Sequence, residues 1–535
     1  MNRAFYKPLY LIFVCLLFAN CANRGRPSGG EKDVTPPVIV KSDPENFSTN
    51  FTGTQIKIVF NEFIKVNNLQ KQLIISPPMD PAPEIAPQGV ASRYITIKIK
   101  DTLDPNTTYA FNFGNSIVDN NEANPYPFYR YVFSTGDYID SLSVKGNIID
   151  ATLRQPDEYV SVMLYEMDST FTDSTIYKHR PKYITNTLDS TTVFSIDNIK
   201  AGKYMLVALK DENQDSKYQQ RSDKIGFLKN PITVPTDSLY TIKLFQENPD
   251  AKIINPRLIS GEKIAFGYEG DYENMNIQIL TETPEDFSYR IIKDAKTDSL
   301  NYYYKPRFKE IDTLIFNVSN KNYNQDFIVK ISEQKRDTLI INAAPTGSIG
   351  FEEDFKIWAN TPFEKIVGDK ISIKDKDSLD VTFNSKLDSL TNTLALSFDK
   401  TESNRYTVLV LPNAITDFFG NKNDSLNYTL NTKSFENYGN VRVNLKNANY
   451  PVIVQLTDDK GEVKAEKYSS EPEPIDFKFI SPNKYYLRVV HDSNKNGVYD
   501  SGNYLKKQQP EKTSYFPDVI DVRANWDPII DFTLL

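Results

Sequence analysis

Hydrophobic and polar residues alternate along most of this chain in short runs. Gln55-Ile56-Lys57-Ile58-Val59-Phe60 carries an apolar side chain at nearly every second position, as does Tyr94-Ile95-Thr96-Ile97-Lys98-Ile99. A period of two belongs to a strand with one buried face. Asn106 to Phe113, Ile117-Val118-Asp119 and Tyr131-Val132-Phe133 extend the series, and Asp, Asn, Pro and Gly interrupt it. Turn signals at intervals of about ten residues predict β-sandwiches. One run differs: Leu9 to Phe18 is continuously apolar and follows Arg3 and Lys7. It is too short for a bilayer, which needs roughly twenty residues, and is laid out as a cleaved export signal.

The pattern repeats. Lys484 to Asn496 matches Lys203 to Asp215 at a constant offset without a gap. Tyr406-Thr407-Val408-Leu409-Val410, Ile415-Thr416-Asp417 and Thr432 echo the stretch from Tyr109, Ile117 to Asp119, and Thr135. Two kinds of sandwich therefore occur twice in the same order. The expected fold class is all-β, with tandem β-sandwich domains in an extended multi-domain chain. The expected divisions are a signal peptide at 1–20, a tether at 21–34, sandwiches at 35–137 and 138–249, an unassigned β domain at 250–345, and second copies at 346–436 and 437–535.

Composition agrees: the chain has 535 residues with 32 Tyr and 32 Phe but two Trp, a strand-forming balance. The net charge of −8 is spread along the chain without a basic block, which argues against nucleic acid as a partner. Only Cys15 and Cys21 are present, and Cys15 would leave with the signal. A lone mature thiol has no disulfide partner, whereas one at a new N-terminus has a use. Ala22 to Pro37, rich in Gly, Ser, Pro and charge, reads as a flexible tether.

Phe18-Ala19-Asn20-Cys21 resembles the lipobox of bacterial lipoproteins, with Phe18 and Asn20 where that box has Leu and Gly or Ala. The resemblance implies lipidation at Cys21; an ordinary cleaved signal is the alternative. The TPP opening at Thr35, the Leu103 to Tyr109 approach, the Ile117-Val118-Asp119 step and Phe133 to Gly136 resemble the bacterial Ig-like domain of surface-layer proteins, a spacer and binding module. Phe194 to Leu206, with Ala201-Gly202-Lys203-Tyr204, looks like the transthyretin-like or carboxypeptidase-regulatory sandwich.

The chemistry-bearing candidates are few. Asp492-Ser493-Asn494-Lys495-Asn496-Gly497-Val498-Tyr499-Asp500 matches the first nine positions of a calcium loop, with Asp492, Asn494, Asn496 and Asp500 as oxygen ligands and Gly497 at the sharp turn. Asn503 stands where the bidentate Glu belongs. The readings are a structural calcium ion or an Asx-rich turn held by its own backbone. Asp211 to Asp215 is the weaker equivalent. His179 and His491 lack the spacing of a zinc site, and no nucleophile elbow or phosphate loop occurs, so no enzyme is expected.

Asp followed by Ser or Thr recurs, and it resembles the O-glycosylation sequon of Bacteroidota. That resemblance implies modification at Ser141, Ser190, Ser238, Ser299, Ser378, Ser389 and Ser425; the alternative is a set of Asx turns opening strands. Together these features resemble Bacteroidota outer-membrane lipoproteins. The implied role is a non-catalytic scaffold anchored to the outer membrane through its N-terminal lipid, on the cell surface rather than the periplasmic face. Its partners would be an integral outer-membrane β-barrel of an assembly, secretion or transport complex, or other lipoproteins. The alternative is a stand-alone adhesin or glycan-binding lipoprotein.

Overall fold

The computed structural model describes residues 33–187, 192–321 and 323–534. Cys21 and Ser190 lie outside them. The chain divides into two units, one of Met1–Ser143, Lys182–Leu188 and Ile196–Ala201, the other of Val144–Pro181, Asp189–Ser195 and Gly202–Leu535. The protein is an all-β chain of tandem Ig-like β-sandwiches. Among the described residues no helix is long and apolar enough to cross a membrane.

In the first unit, strands Ile39–Asp43, Gln55–Val66, Ser92–Lys98 and Glu84–Ala86 form one sheet, and Ile117–Asp119 joins the end of Gln55–Val66. The opposite sheet is Ile74–Ser76, Thr108–Asn112 and Arg130–Ser134. Ile56, Ile58 and Phe60 point inward together with Ile95 and Ile97, and they meet Tyr109, Phe111, Tyr131 and Phe133 from the other sheet. Phe133 is the aromatic hub, 4.2 Å from the Phe51 ring and 5.5 Å from Tyr109. Burying such a set of side chains supplies most of the stability, at roughly 1.5–3 kcal/mol per large apolar residue.

The second unit opens with a sheet whose central strands are Ser161–Glu166, Gly202–Lys210, Lys224–Phe227 and Leu239–Gln246, the last pairing in parallel with Leu142–Asp150. The segment that sequence could not assign is a two-sheet sandwich as well. Lys252–Ser260, Lys263–Glu269, Ser299–Lys305 and Ser288–Lys293 face Asn276–Ile279, Thr313–Asn320 and Tyr323–Lys330 across Phe266, Tyr302 and Phe316. Beyond it come the sheets that contain Phe355–Ala359 and Arg405–Val410, and finally those that contain Gly439–Lys446 and Asn483–His491.

The two internal repeats are repeats of structure. Strand Gly202–Lys210 recurs as Asn483–His491, and the parallel closing pair of Leu239–Gln246 with Leu142–Asp150 recurs as Ile529–Thr533 with Gly439–Lys446. In the Ig-like pair the equivalence reaches single hydrogen bonds. The Asp104 N–H donates to the Tyr109 hydroxyl (2.8 Å), and the Thr401 N–H to that of Tyr406 (2.7 Å). Thr135 Oγ1 accepts from the Thr107 N–H and donates to the Asp104 carbonyl, and Thr432 does the same with Asn404 and Thr401. Asp119 accepts backbone N–H groups from Asn121, Glu122, Ala123 and Asn124, while Asp417 accepts those of Phe419 and Asn421. These tyrosines, threonines and aspartates hold loops to strands, which gives the echoed residues a structural role.

Candidate functional site

Strand Asn483–His491 delivers the acidic loop at its end. Asp492 is buried, and its two oxygens accept the N–H groups of Asn496 (3.1 Å) and Gly497 (2.8 Å). Asn496 Oδ1 accepts from the Val498 N–H, and the side-chain amides of Asn494 and Asn496 both donate to Asp500 Oδ2, at 2.5 and 2.8 Å. Gly497 sits at φ +78°, in the left-handed region that the sharp turn requires. Asn494 and Asn496 thus meet at Asp500, while Asp492 holds the backbone of the same turn. Their oxygens, however, already accept N–H groups, and two amide nitrogens face the Asp500 carboxylate. A calcium ion takes six to eight oxygens, so both amides would have to turn over to serve it. Among the described residues no group of three or more His, Cys, Asp or Glu side chains could hold a metal.

A residue that the spacing missed closes the loop. Glu511 is buried, and one of its oxygens accepts the Ser493 N–H and hydroxyl while the other accepts the Asp500 N–H. Asn503, the twelfth position, instead exchanges backbone bonds with Gln508 at the base of a hairpin. The earlier copy of the loop follows the same logic. Asp211 accepts from the Gln214 and Ser216 N–H groups, and the fully buried Asp223 accepts from Glu212, Gln219 and Ser222. Burial pushes the Asp211 carboxyl above its usual range in spite of those bonds.

The two histidines stay apart in chemistry as in sequence. His179 follows the short helix Thr175–Lys178. The His491 ring lies 3.0 Å from the Ser514 hydroxyl, and burial, with Lys512 beside it, holds its pKa below the ordinary value. Of the seven serines, Ser141, Ser238, Ser378, Ser389 and Ser425 are exposed, and Ser299 is half-buried. Asp388, just before Ser389, accepts the Leu390 and Thr391 N–H groups, so the Asx turn and an accessible serine coexist there.

The acidic loop stands at the root of an arm. The hairpin that follows it, residues 501–509, packs the last sandwich onto the second. Tyr504 is wholly buried, its ring 5.2 Å from Phe227 edge-on and 6.3 Å from Tyr177, with Lys507 Nζ 3.8 Å over its face. Its N–H donates to the buried Glu247, which also accepts from Gln220. Ser501 donates to the Gln246 carbonyl, Gln509 to that of Phe227, and Lys507 pairs with Asp173 at 2.6 Å. A Cβ on Gly502 would lie 2.5 Å from Phe245, so only glycine admits this approach. At the other end Arg488 and the Tyr515 hydroxyl both donate to the Thr152 carbonyl, and Thr513 donates to Ala151. The two copies of one repeat thus pack against each other inside the second unit.

The comparisons with known proteins bear on the first sandwich. Residues 33–135 match the family model of the bacterial Ig-like domain. The chain carries a bacterial Ig-like domain. It fills the first sandwich of the first unit, where the Tyr109 and Thr135 bonds lie. No curated protein matches the chain. Among solved structures, the surface layer protein SbsC, domains 1–6, is 11% identical, with 91% of this chain and 67% of that chain covered at a TM-score of 0.15. The Bacillus anthracis TIE protein is 11% identical over 95% and 76%, also at 0.15. The eight N-terminal Ig domains of Down Syndrome Cell Adhesion Molecule are 9% identical over 91% and 69%, again at 0.15. At such scores the likeness carries no argument about function.

Proposed function

We propose that this protein is a non-catalytic scaffold, held to the outer membrane by lipid on Cys21, that serves as an accessory subunit of an integral outer-membrane complex. The observation that carries the reading is a bacterial Ig-like domain beginning at residue 33, directly behind a lipobox-like leader and tether. The residue clusters that could have pointed to chemistry support the same reading. Asp492, Asp500 and Glu511 accept backbone and amide N–H groups, and the Tyr109 and Tyr406 hydroxyls hold loops. Sandwich edges and loops are the surfaces through which such modules meet partners. The test is affinity capture of the tagged, full-length protein from gently solubilised outer membrane, followed by mass spectrometry. A stoichiometric integral β-barrel is the expected companion; recovery of the protein alone would count against the subunit role.

A second reading has one observation in its favour. An open cleft of about 1080 Å³ lies in the second unit, where Tyr268, Tyr272 and Tyr323 are joined by Asp250, Lys293 and Lys506. Aromatic rings beside carboxylates and ammonium groups suit a saccharide, which is the ligand of a stand-alone glycan binder. Binding to a glycan array that Tyr272→Ala abolishes would favour this reading over the scaffold.

A further inference from the structure

The outward face of the first Ig-like sheet sets Val59, Phe63 and Tyr94 among the lysines Lys41, Lys57, Lys65 and Lys98. Lys41, Val59 and Tyr94 lie side by side across strands Ile39–Asp43, Gln55–Val66 and Ser92–Lys98. Ile58 and Ile95, next to them in sequence, are fully buried, so this row points away from the core. Tyr94 is 46% exposed, Phe63 51% and Val40 62%, and Val90, in the loop that leads into strand Ser92–Lys98, is 63% exposed. Lys57 Nζ lies 4.3 Å over the Tyr94 ring, and the Arg93 guanidinium 5.1 Å over Phe63. Apolar side chains exposed singly are ordinary, but a cluster rimmed by charge marks a contact surface.

The chain enters the domain at the Phe63 end of this sheet. Asn124 holds the Asp33 carbonyl at 2.9 Å, and the Asn120 N–H, one residue past strand Ile117–Asp119, donates to the Phe63 carbonyl. The carboxylates Asp33, Glu62, Asp119 and Glu122 gather there, close enough to raise the Glu62 pKa after burial has done so. Asp119 is committed to four backbone N–H groups. Lys41 pairs with Val59, while Lys57 and Arg93 lie over the exposed rings of Tyr94 and Phe63. Asp33 is twelve residues from Cys21, and a chain of that length reaches at most about 40 Å.

We propose that this face rests on the lipid surface that carries the anchor. Val40, Phe63, Val90 and Tyr94 enter the headgroup layer, and Lys41, Lys57 and Arg93 meet lipid phosphates. The proposal rests on the lipid-anchor reading above. Rings with one apolar and one polar side favour that layer, and binding there grows with buried apolar area and with attraction to anionic lipid. The short tether keeps the face within reach of the bilayer, so a weak contact suffices once the anchor holds the domain nearby.

The test uses the exported, full-length protein with a bimane on Val90→Cys, compared with a bimane on Leu239→Cys in the second unit. Vesicles of phosphatidylethanolamine and phosphatidylglycerol carry a nitroxide at the headgroup. Quenching by about twofold at position 90 and none at 239 is expected for a residue held in the interface. Equal signals at the two positions overturn the proposal. Adding Phe63→Ser and Tyr94→Ser, both exposed and so tolerated by the fold, abolishes the quenching; quenching that persists in this variant also overturns it, as does shielding of position 90 by a co-purified protein in the absence of lipid. Metabolic labelling with an alkynyl palmitate reads the anchor separately. A labelled protein with position 90 unquenched keeps the anchor and loses the face. An unlabelled protein quenched at position 90 by added vesicles loses the anchor and keeps the face.

Discussion

Tyr504 offers the sharpest test of how the second and last sandwiches, the two copies of one repeat, are held together. Its ring is buried between Phe227, Tyr177 and Lys507, while its hydroxyl is buried without a hydrogen-bond partner among the described residues. Its link to Glu247 runs through the backbone and survives any side-chain change. Tyr504→Ala therefore removes the ring alone. Truncating a buried aromatic residue costs about 3–5 kcal/mol, of which the Lys507 contact over the ring accounts for roughly 0.5–1 kcal/mol. Opening of the arm should become on the order of a hundred- to several thousandfold easier, since each 1.4 kcal/mol is a factor of ten. Tyr504→Phe keeps the packing and discards only an unsatisfied hydroxyl, so it should be neutral or slightly stabilising. Native-state hydrogen exchange at residues 501–516 reads both effects on the intact protein, and limited proteolysis of the arm provides a second reading. A loss below about 1 kcal/mol for Tyr504→Ala would refute the reasoning, because a ring that matters so little cannot be packed as described. A large loss for Tyr504→Phe would refute it differently, by showing that the hydroxyl has a partner.

Three further outcomes are expected. Glu511→Gln should destabilise the last sandwich by about 1–3 kcal/mol, because a charged acceptor of several N–H and O–H groups is lost; thermal unfolding measures it, and chelator should leave the wild-type midpoint unchanged if the loop is closed by its own bonds, whereas a rise in millimolar calcium would speak for an ion among Asp492, Asn494, Asn496 and Asp500. The His491 imidazole, whose pKa burial and Lys512 depress, contributes stability that is complete above pH 6.5 and is lost as the pH falls through the lowered folded value, since the unfolded chain takes up the proton first; His491→Asn should flatten the stability profile between pH 5 and 7 (about the range where histidine titrates), and an unchanged slope would assign it to other groups. Tyr406→Phe should cost about 1–3 kcal/mol by stranding the Thr401 N–H, with Tyr109→Phe costing a similar amount in the first sandwich, as chemical denaturation would show.

Most of the strands could be read directly from the chain, and the reason is local. A half-buried strand must place its apolar residues at every second position, so Ile56, Ile58 and Phe60 announce their own face without reference to anything distant. The repeats were legible for the same reason, since equal patterns fold to equal modules. Even the meeting of Asn494 and Asn496 with Asp500 followed from spacing within one loop. What closes that loop did not, because Glu511 arrives from beyond a hairpin and carries no periodic mark. The arm was less visible still. Tyr504, Lys507 and Gln509 sit in a polar stretch that reads as a solvated turn, and the Tyr504 N–H meets Glu247 across 257 residues.

Alternation along the chain thus determined the fold class and many of the strands. Which loops became buried was decided only when the last sandwich met the second, since the free energy of such a contact depends on surfaces that exist only after both sandwiches have formed. Tyr504 is a core residue because Phe227, Tyr177 and Glu247 are there to receive it. Nothing within its own stretch of sequence distinguishes it from an exposed tyrosine.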